Sequence, residues 1–402
     1  KEEMPDIRFF SGKQQISIAN SQMEILLSPG VSQTDSFLRN AISAGATVKS
    51  DLDLFVSEVD VPVVGITGSN GKSTVTELVG KMAEASGFEA AVGGNLGPPA
   101  LDLLETKAEI FILELSSFQL ENSGPLNLSV AAILNLSPDH LDRHQTMASY
   151  RLAKERIFSR CKTAVINFID ETTYSNNLND CVIFKWGFYE PVGDTIGLSG
   201  EFPNVHICFG SRKIMRVDEI RLTGKHNLAN SLAALAIGIS SGFSIESMCR
   251  VLKNFSGLAH RCELILSKAG VDWINDSKAT NVGATRAALE GLGDQKNVIL
   301  IAGGIAKGAD FESLLVPIKK HCKQVILMGE SAIEISEIIS HEVKVSRVTS
   351  IEEAVQLSKK ISSIGDLVLL SPACSSLDMF RNYIDRGDTY TRAVLDIAGI
   401  EH

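Results

Sequence analysis

Residues 65–74 read Gly65-Ile66-Thr67-Gly68-Ser69-Asn70-Gly71-Lys72-Ser73-Thr74, a glycine-rich run that ends on a lysine and two hydroxyls. Glycines let backbone N–H groups turn inward around phosphate oxygens, and a helix starting there adds a favourable dipole. In such a loop Lys72 neutralises the β- and γ-phosphates of a nucleoside triphosphate and the Ser73 hydroxyl sits on Mg²⁺. A strict phosphate loop has glycine at position 66, where this chain has Ile66, so the loop is a variant with its glycine at Gly68. An ordinary turn between strand and helix is the competing explanation, disfavoured because Gly-Lys-Ser-Thr falls where strand gives way to helix. The loop speaks for a nucleotide and not for a reaction. A kinase, a GTPase or a motor would satisfy it equally.

Two further stretches carry acids or a histidine beside apolar runs. Residues 109–114 read as a strand ending on Glu114, followed by Ser116-Ser117-Phe118-Gln119. A carboxylate at the carboxyl end of a strand next to the phosphate-loop strand is where such folds hold Mg²⁺, although a solvated strand-end glutamate fits the spacing as well. The run 129–134 leads into Asn135-Leu136-Ser137-Pro138-Asp139-His140-Leu141-Asp142-Arg143-His144, which puts Asp139 and His140 on the same rim. His140 and His144 have the i, i+4 spacing of a zinc-protease helix, but Leu141 stands where that site needs a general-base glutamate. Zinc is rejected. A metal role for Glu114 and His140 and a plain loop role both stay open on these residues alone.

These residues need elements to hold them. The apolar run 61–67 reads as a strand, and 73–86 as a helix with Val75, Leu78, Val79 and Met82 on one face and Gly87 closing it. Earlier, 24–27 reads as a strand running into Ser28-Pro29-Gly30, and 36–45 as a helix. Short strands at 164–167, 182–186 and 205–209 with many turn residues predict an antiparallel elaboration over 160–225, and 227–242 an Ala/Leu-rich helix. After Leu258 strand centres at Trp273, 298–302, 325–328, 343–348 and 366–370 alternate with helical patterns. That rhythm predicts a mostly parallel, doubly wound sheet.

Length and composition agree with an α/β chain of two or three domains. Hydrophobic residues at 44% and charged residues at 21% are globular values. A net charge of −10 argues against a nucleic-acid or membrane-surface binder, since either needs a broad basic face. Seven cysteines without a C-x-x-C pair suggest reduced thiols in a cytosol. The apolar runs are strand-length and the N-terminus is no signal peptide, so a soluble, cytoplasmic chain is the expectation.

Six ordered motifs then carry a resemblance: 67–74, Gly-Gly-Asn-Leu-Gly (93–97), Leu-Glu-Leu-Ser-Ser-Phe-Gln-Leu (113–120), Asp-His-Leu-Asp-Arg (139–143), Tyr-Arg-Leu-Ala-Lys (150–154) and Gly-Lys-His-Asn-Leu-Ala-Asn (224–230). In that order they resemble the Mur ligase family. With Asn-Asp-Ser-Lys-Ala-Thr-Asn (275–281) and Leu-Ser-Pro-Ala-Cys-Ser-Ser-Leu-Asp (370–378), the chain looks like the branch that adds D-glutamate. The resemblance implies a three-domain α/β fold with a central P-loop ATPase domain (51–257), a C-terminal Rossmann-like amino-acid-binding domain (258–402) and an incomplete N-terminal one (1–50). The missing part is the glycine-rich turn of a uridine-diphosphate-binding unit: either the chain as given starts late, or it holds that nucleotide differently.

The implied reaction joins D-glutamate to UDP-N-acetylmuramoyl-L-alanine through an acyl phosphate, using ATP and two Mg²⁺ ions, in a monomer that builds peptidoglycan precursors. By match, Lys72, His140 and Lys154 are catalytic, and Ser73, Glu114, His140 and Lys154 hold metal, with Lys154 converted by CO₂ to a carbamate. From spacing alone Lys154 is a solvated lysine on a charged helix; an unperturbed lysine is too protonated to react, so a shielded site is required. ATP would be held by Gly68, Ser69, Asn70, Gly71, Lys72, Ser73, Thr74, Asn227, Asn230, Arg261 and Asp276, Arg261 acting as an arginine finger where spacing alone favours a surface salt bridge. The substrates would be held by Asn95, Ser116, Lys278, Thr280, Lys307, Ser376, Leu377 and Tyr383. Ser376 is expected at the start of the last helix, where Ser375-Ser376 would also cap it, and Tyr383, in place of an expected Phe, is expected to contribute mainly backbone. A sister Mur or folylpolyglutamate-type ligase, a non-catalytic nucleotide-binding regulator and a simple phosphotransferase are the alternatives.

Overall fold

The computed structural model describes residues 22–32, 35–95, 97–175, 178, 181–201, 203–222, 224–306 and 308–400. Among them, the strands form three sheets. Glu24–Leu27 and Thr47–Ser50 make a parallel pair, joined by the helix Ser36–Ser43, whose start Asp35 caps by accepting from the Phe37 and Leu38 N–H groups.

The second sheet has nine strands. Its order is Arg212–Arg216, His206–Phe209, Thr195–Ser199, Val182–Trp186, Thr163–Asn167, Val130–Ile133, Val63–Thr67, Ile110–Glu114, Ala90–Gly94. The expected antiparallel elaboration over 160–225 is only partly realised. Thr163–Asn167, Val182–Trp186 and Thr195–Ser199 extend the sheet in parallel, and only the last two strands, His206–Phe209 and Arg212–Arg216, pair antiparallel. Because Val63–Thr67 lies between Ile110–Glu114 and Val130–Ile133, the strand order reverses around it. Such a reversal opens a crevice at the carboxyl ends of the strands, which brings Thr67, Glu114 and the loop after Ile133 to one rim.

The third sheet runs Glu263–Lys268, Val271–Asn275, Leu367–Leu370, Val298–Ala302, Cys322–Leu327, Lys344–Arg347, all parallel except the first strand. This is the mostly parallel sheet that the strand–helix rhythm predicts. Helices cover both faces of each large sheet, leaving two apolar layers per sheet. Among the described residues, no buried cluster mixes residues from the two large sheets. Val64, Ile66, Val75, Leu78 and Met82 are all at 0% exposure, and burial of such a side chain contributes about 1.5–3 kcal/mol. The phosphate loop is thus anchored at both ends, by its strand and by its helix.

Candidate active site

The helix after the loop, Lys72–Ala85, has no side-chain cap; Gly71 precedes it with φ 80°, a left-handed conformation that favours glycine. Helix N-terminal N–H groups without an intrahelical partner suit an anion. A Cβ at Gly71 would stand 2.3 Å from Asn230 Oδ1, so the missing side chain also lets the helix Lys225–Ser240 approach the loop.

Two lysines converge on this loop. Lys72 Nζ donates to the carbonyls of Gly68 and Ser69, each at 2.8 Å. Lys154 Nζ donates to Thr67 Oγ1 at 3.0 Å and to the same Gly68 carbonyl at 2.9 Å. Lys154 is 1% exposed and so is not the solvated residue that helix spacing alone suggests. Burial lowers the Lys72 pKa although Glu114 and Asp139 oppose the shift. Burial lowers that of Lys154 much further, and the neighbouring Lys72 ammonium adds to the effect. Both causes favour the neutral amine of Lys154 over its ammonium.

The sign of the linkage is testable. At low pH the folded chain carries the full cost of a buried Lys154 ammonium, and the unfolded chain carries none. As pH rises through the depressed folded value toward 10.5, the folded state sheds its proton first and the cost fades. Lys154→Met is therefore expected to resist urea better than the wild type at about pH 7 in CO₂-free buffer, with the gap narrowing toward about pH 10. Denaturation midpoints at the two pH values check this, and a gap independent of pH contradicts it.

Glu114 closes its strand at 2% exposure, and is no solvated strand end. Its Oε2 accepts from Ser73 Oγ at 2.5 Å and its Oε1 from Asn95 Nδ2 at 2.6 Å. Burial pushes its carboxyl up, but Lys72, the Ser73 and Asn95 hydrogen bonds and Arg261 outweigh it, so the carboxylate form is held. Arg261 comes from the segment leading into the third sheet and donates Nη2 to Ser73 Oγ at 2.5 Å. It is a cross-sheet contact and not a surface salt bridge. Behind it, burial pushes Asp276 up to about 6, against hydrogen bonds from Ser371 and the Cys262 N–H and the Arg261 charge.

His140 takes φ 53° ahead of the short helix Leu141–His144, which turns its ring onto Phe118 at 4.9 Å. Tyr150 OH lies 3.1 Å from Ser69 Oγ, and His144 Nε2 lies 2.9 Å from Ser117 Oγ. Ser116 caps the helix Ser117–Asn122 in a reciprocal box with Gln119. No group of three or more His, Cys, Asp or Glu fit to hold a metal occurs among the described residues.

On the third sheet, Lys278 Nζ stands 3.9 Å from the Tyr383 ring centroid. The Tyr383 carbonyl in turn accepts from Ser277 Oγ at 2.7 Å. The expected helix start at Ser375-Ser376 is not there. Ser375 instead bridges to Ile305, Ser376 opens a turn to Phe380, and the last helix, Tyr383–Ala398, begins seven residues later under the cap of Asn382. Ser376 is buried, and Leu377 is exposed. Lys307 lies outside the described residues.

One cleft of about 1130 Å³ joins these pieces, larger than the roughly 300–1,000 Å³ of a common ligand pocket. Ser69, Asn70, Gly71, Lys72, Ser73, Thr74, Asn95, Glu114, Ser116, His140, Lys154, Asn227, Asn230, Arg261, Asp276, Lys278 and Thr280 line it. Gly68 lies beneath with its carbonyl turned to the lysines, and Ser376, Leu377 and Tyr383 are not among the lining residues. Sequence reasoning missed Arg386, fully buried with hydrogen bonds to the Ser277 Oγ and carbonyl and to the Cys374 carbonyl. It gave Asn281 no role of its own, although an Asn directly before a helical pattern is a cap signal.

Residues 66–238 match the Mur ligase middle domain and residues 260–374 the Mur ligase glutamate ligase domain. The chain belongs to the Mur ligase family. This Mur ligase is 43% identical over 392 residues to the UDP-N-acetylmuramoylalanine–D-glutamate ligase of Marinobacter nauticus, spanning 97% of the chain and 88% of that relative. It is 44% identical over 399 residues to the ligase of the same name from Pseudomonas aeruginosa, spanning 98% and 89%. Among solved structures, MurF from Acinetobacter baumannii superposes with TM-score 0.66 at 18% identity, covering 94% of this chain and 92% of that one. The MurF ligase from Thermotoga maritima in complex with ADP gives TM-score 0.66 at 17% identity, covering 94% and 98%. At those identities the likeness is one of fold.

Proposed function

We propose that this chain is the ATP-dependent amide ligase that adds D-glutamate to UDP-N-acetylmuramoyl-L-alanine in peptidoglycan precursor synthesis. The observation that carries it is identity above two-fifths, over nearly the whole chain, to ligases named for that reaction. The cleft supports it physically, because the phosphate-loop residues and the turn that carries Lys278 and Thr280 line one space. The units proposed are 1–50 for the uridine nucleotide, 51–257 for ATP and 258–402 for the amino acid. Both walls of the cleft belong to one chain, which supports a monomer as the working unit. No helix among the described residues is long and apolar enough to cross a membrane, which accords with work in the cytoplasm.

The terminal phosphoryl group passes from ATP to the acceptor carboxylate, giving ADP and an acyl phosphate. The amine of D-glutamate then attacks the acyl carbon; the C–N bond forms, the C–O bond to phosphate breaks with its electron pair, and the amine gives up a proton. Lys72 and the free N–H groups at the start of Lys72–Ala85 neutralise and orient the transferring group. Arg261 reaches the same point from the other wall and adds charge when the two sheets close. Asn227 and Asn230, on the helix beside the loop, hold the nucleoside; Asp276 anchors it from the third sheet. Lys278 and Thr280, with Lys307, hold the incoming amino acid; Ser376, Leu377 and Tyr383 form the far end of its pocket. Asn95 and Ser116 face the acceptor.

The residues fit Mg²⁺ on the ATP side, since the Ser73 hydroxyl and the Glu114 carboxylate share one hydrogen bond at the loop, and Mg²⁺ takes few protein ligands besides phosphate and water. Bound there, the ion supplies charge neutralisation on the phosphates. For a second ion, His140 offers a ring nitrogen, and Lys154 fits only if it loses its proton and takes up CO₂, which its depressed pKa favours.

The test is the amino-acid dependence of phosphate release with ATP and the acceptor present. D-Glutamate alone is expected to stimulate it; stimulation by L-lysine, diaminopimelate or L-glutamate instead overturns the assignment.

A further inference from the structure

The turn that carries Lys278 and Thr280 ends on Asn281, and this residue touches both walls of the cleft. Its Oδ1 accepts the Ala284 N–H at 2.8 Å, capping the helix Val282–Leu292. Its Nδ2 donates across the cleft to Asp139 Oδ2 at 3.0 Å and to Asn70 Oδ1 at 3.3 Å. Asn70 lies in the phosphate loop and is itself held: its N–H donates to Asn135 Oδ1 at 2.9 Å and its Nδ2 to Ser137 Oγ at 3.2 Å.

A second observation marks the same contact. A Cβ at Gly283 would stand 2.7 Å from Ser137 Oγ and 3.2 Å from Asn70 Nδ2, so the absent side chain is what lets this helix start approach the loop. Among the described residues no buried apolar cluster spans the two sheets, so polar contacts such as these are ones a charged ligand on the loop can bias.

Resting on the reading of 65–74 as the nucleotide loop and 278–280 as amino-acid contacts, we propose that Asn281 is a positioning residue coupling the two. An anion that orders Asn70 fixes the Asn281 amide, and the cap that Asn281 forms then fixes the three residues just before it. Occupancy of the phosphate loop thereby prepares the amino-acid segment, and by linkage the amino acid tightens nucleotide binding equally.

The test uses the full chain with Asn281→Ser and Asn281→Asp. Both replacements are good helix caps, so the helix start is kept. Serine is too short to reach Asn70 and Asp139, and aspartate sets a second carboxylate against Asp139. In the wild type, ADP with Mg²⁺ is expected to tighten D-glutamate binding by about tenfold; in the variants the factor falls to within about twofold of unity, with affinity in the nucleotide-free protein unchanged. A purely structural role would weaken D-glutamate equally with and without nucleotide, and that result overturns the proposal, as does an unchanged factor. Hydrogen exchange of amides 278–285 gives a readout that needs no amino acid: ADP with Mg²⁺ is expected to protect them in the wild type and not in the variants. If D-glutamate binds in neither state, the substrate assignment fails and the exchange result alone decides the coupling; absent protection in the wild type overturns it.

Discussion

Replacing Lys72 with methionine is expected to lower ATP-dependent product formation by about 10²–10³-fold, the range seen when one preorganised donor to a developing anion is lost. Methionine keeps much of the length of the side chain and removes only the charge and the donors, so the loop should stay folded. The loss has a second component peculiar to this site. Lys72 and Lys154 share the Gly68 carbonyl, and the Lys72 charge is the second cause, after burial, of the depressed Lys154 pKa. Removing that charge lets Lys154 hold its proton to higher pH, which disfavours the proposed carbamate. Phosphate-release kinetics measure the first effect. The native mass spectrum measures the second, as a smaller fraction of chain carrying one added CO₂. A turnover within about tenfold of wild type would show that Lys72 does not face the transferring phosphoryl.

Arg386→Ala is expected to destabilise the third sheet by about 2–4 kcal/mol, measured by urea unfolding, because buried acceptors left without partners cost about 1–3 kcal/mol each. The guanidinium holds Ser277, between Asp276 and Lys278, against Cys374, two residues before Ser376. Burial pushes Arg386 down to about 10, a sign of how fully it is enclosed. The charge itself is costly in that setting, so the net loss is smaller than the sum of its hydrogen bonds. Arg386→Lys should recover part of the stability and not all, since one ammonium cannot reproduce a planar fork. Unfolding midpoints that leave alanine and lysine variants indistinguishable from wild type would mean the two loops are held by other contacts.

Local signals made part of this site legible. Glycines before Lys72, an apolar strand running into Glu114 and another running into Asp139 and His140 each place a group on the rim, since strand ends follow from hydrophobic runs. Strand direction is different, because it depends on where a connection returns and not on the strand's own residues. The short strand Val182–Trp186 looks alike in either direction, and only its pairing with Thr163–Asn167 shows that it runs parallel. The helix start shows a related limit. Ser375-Ser376 and Asn382 both have capping chemistry, but the Ser375 backbone is already engaged by the Ile305 N–H and carbonyl, so the helix waits for Asn382. Arg386 gave no signal, because its partners Ser277 and Cys374 are brought to it only by the folded sheet. Lys154 and Arg261 carried misleading ones: a charged helix and a lone arginine read as solvent-facing until the fold buries the first and sets the second on Ser73.

The separate apolar layers of the two large sheets bear on how such a chain can diversify. The hydrogen bonds between the sheets described above are polar, and among the described residues no buried apolar cluster draws on both sheets. Drift in one interior therefore leaves the other's jigsaw intact, and substitutions far apart in the two are expected to be additive. A lineage could exchange the wall that selects the amino acid while inheriting the wall that handles phosphate, provided the few residues at the seam still meet. Modularity of that kind places the constraint on the seam, where Asn70, Ser73 and Asp139 meet Arg261, Asn281 and Gly283, and where His226 meets Gly291.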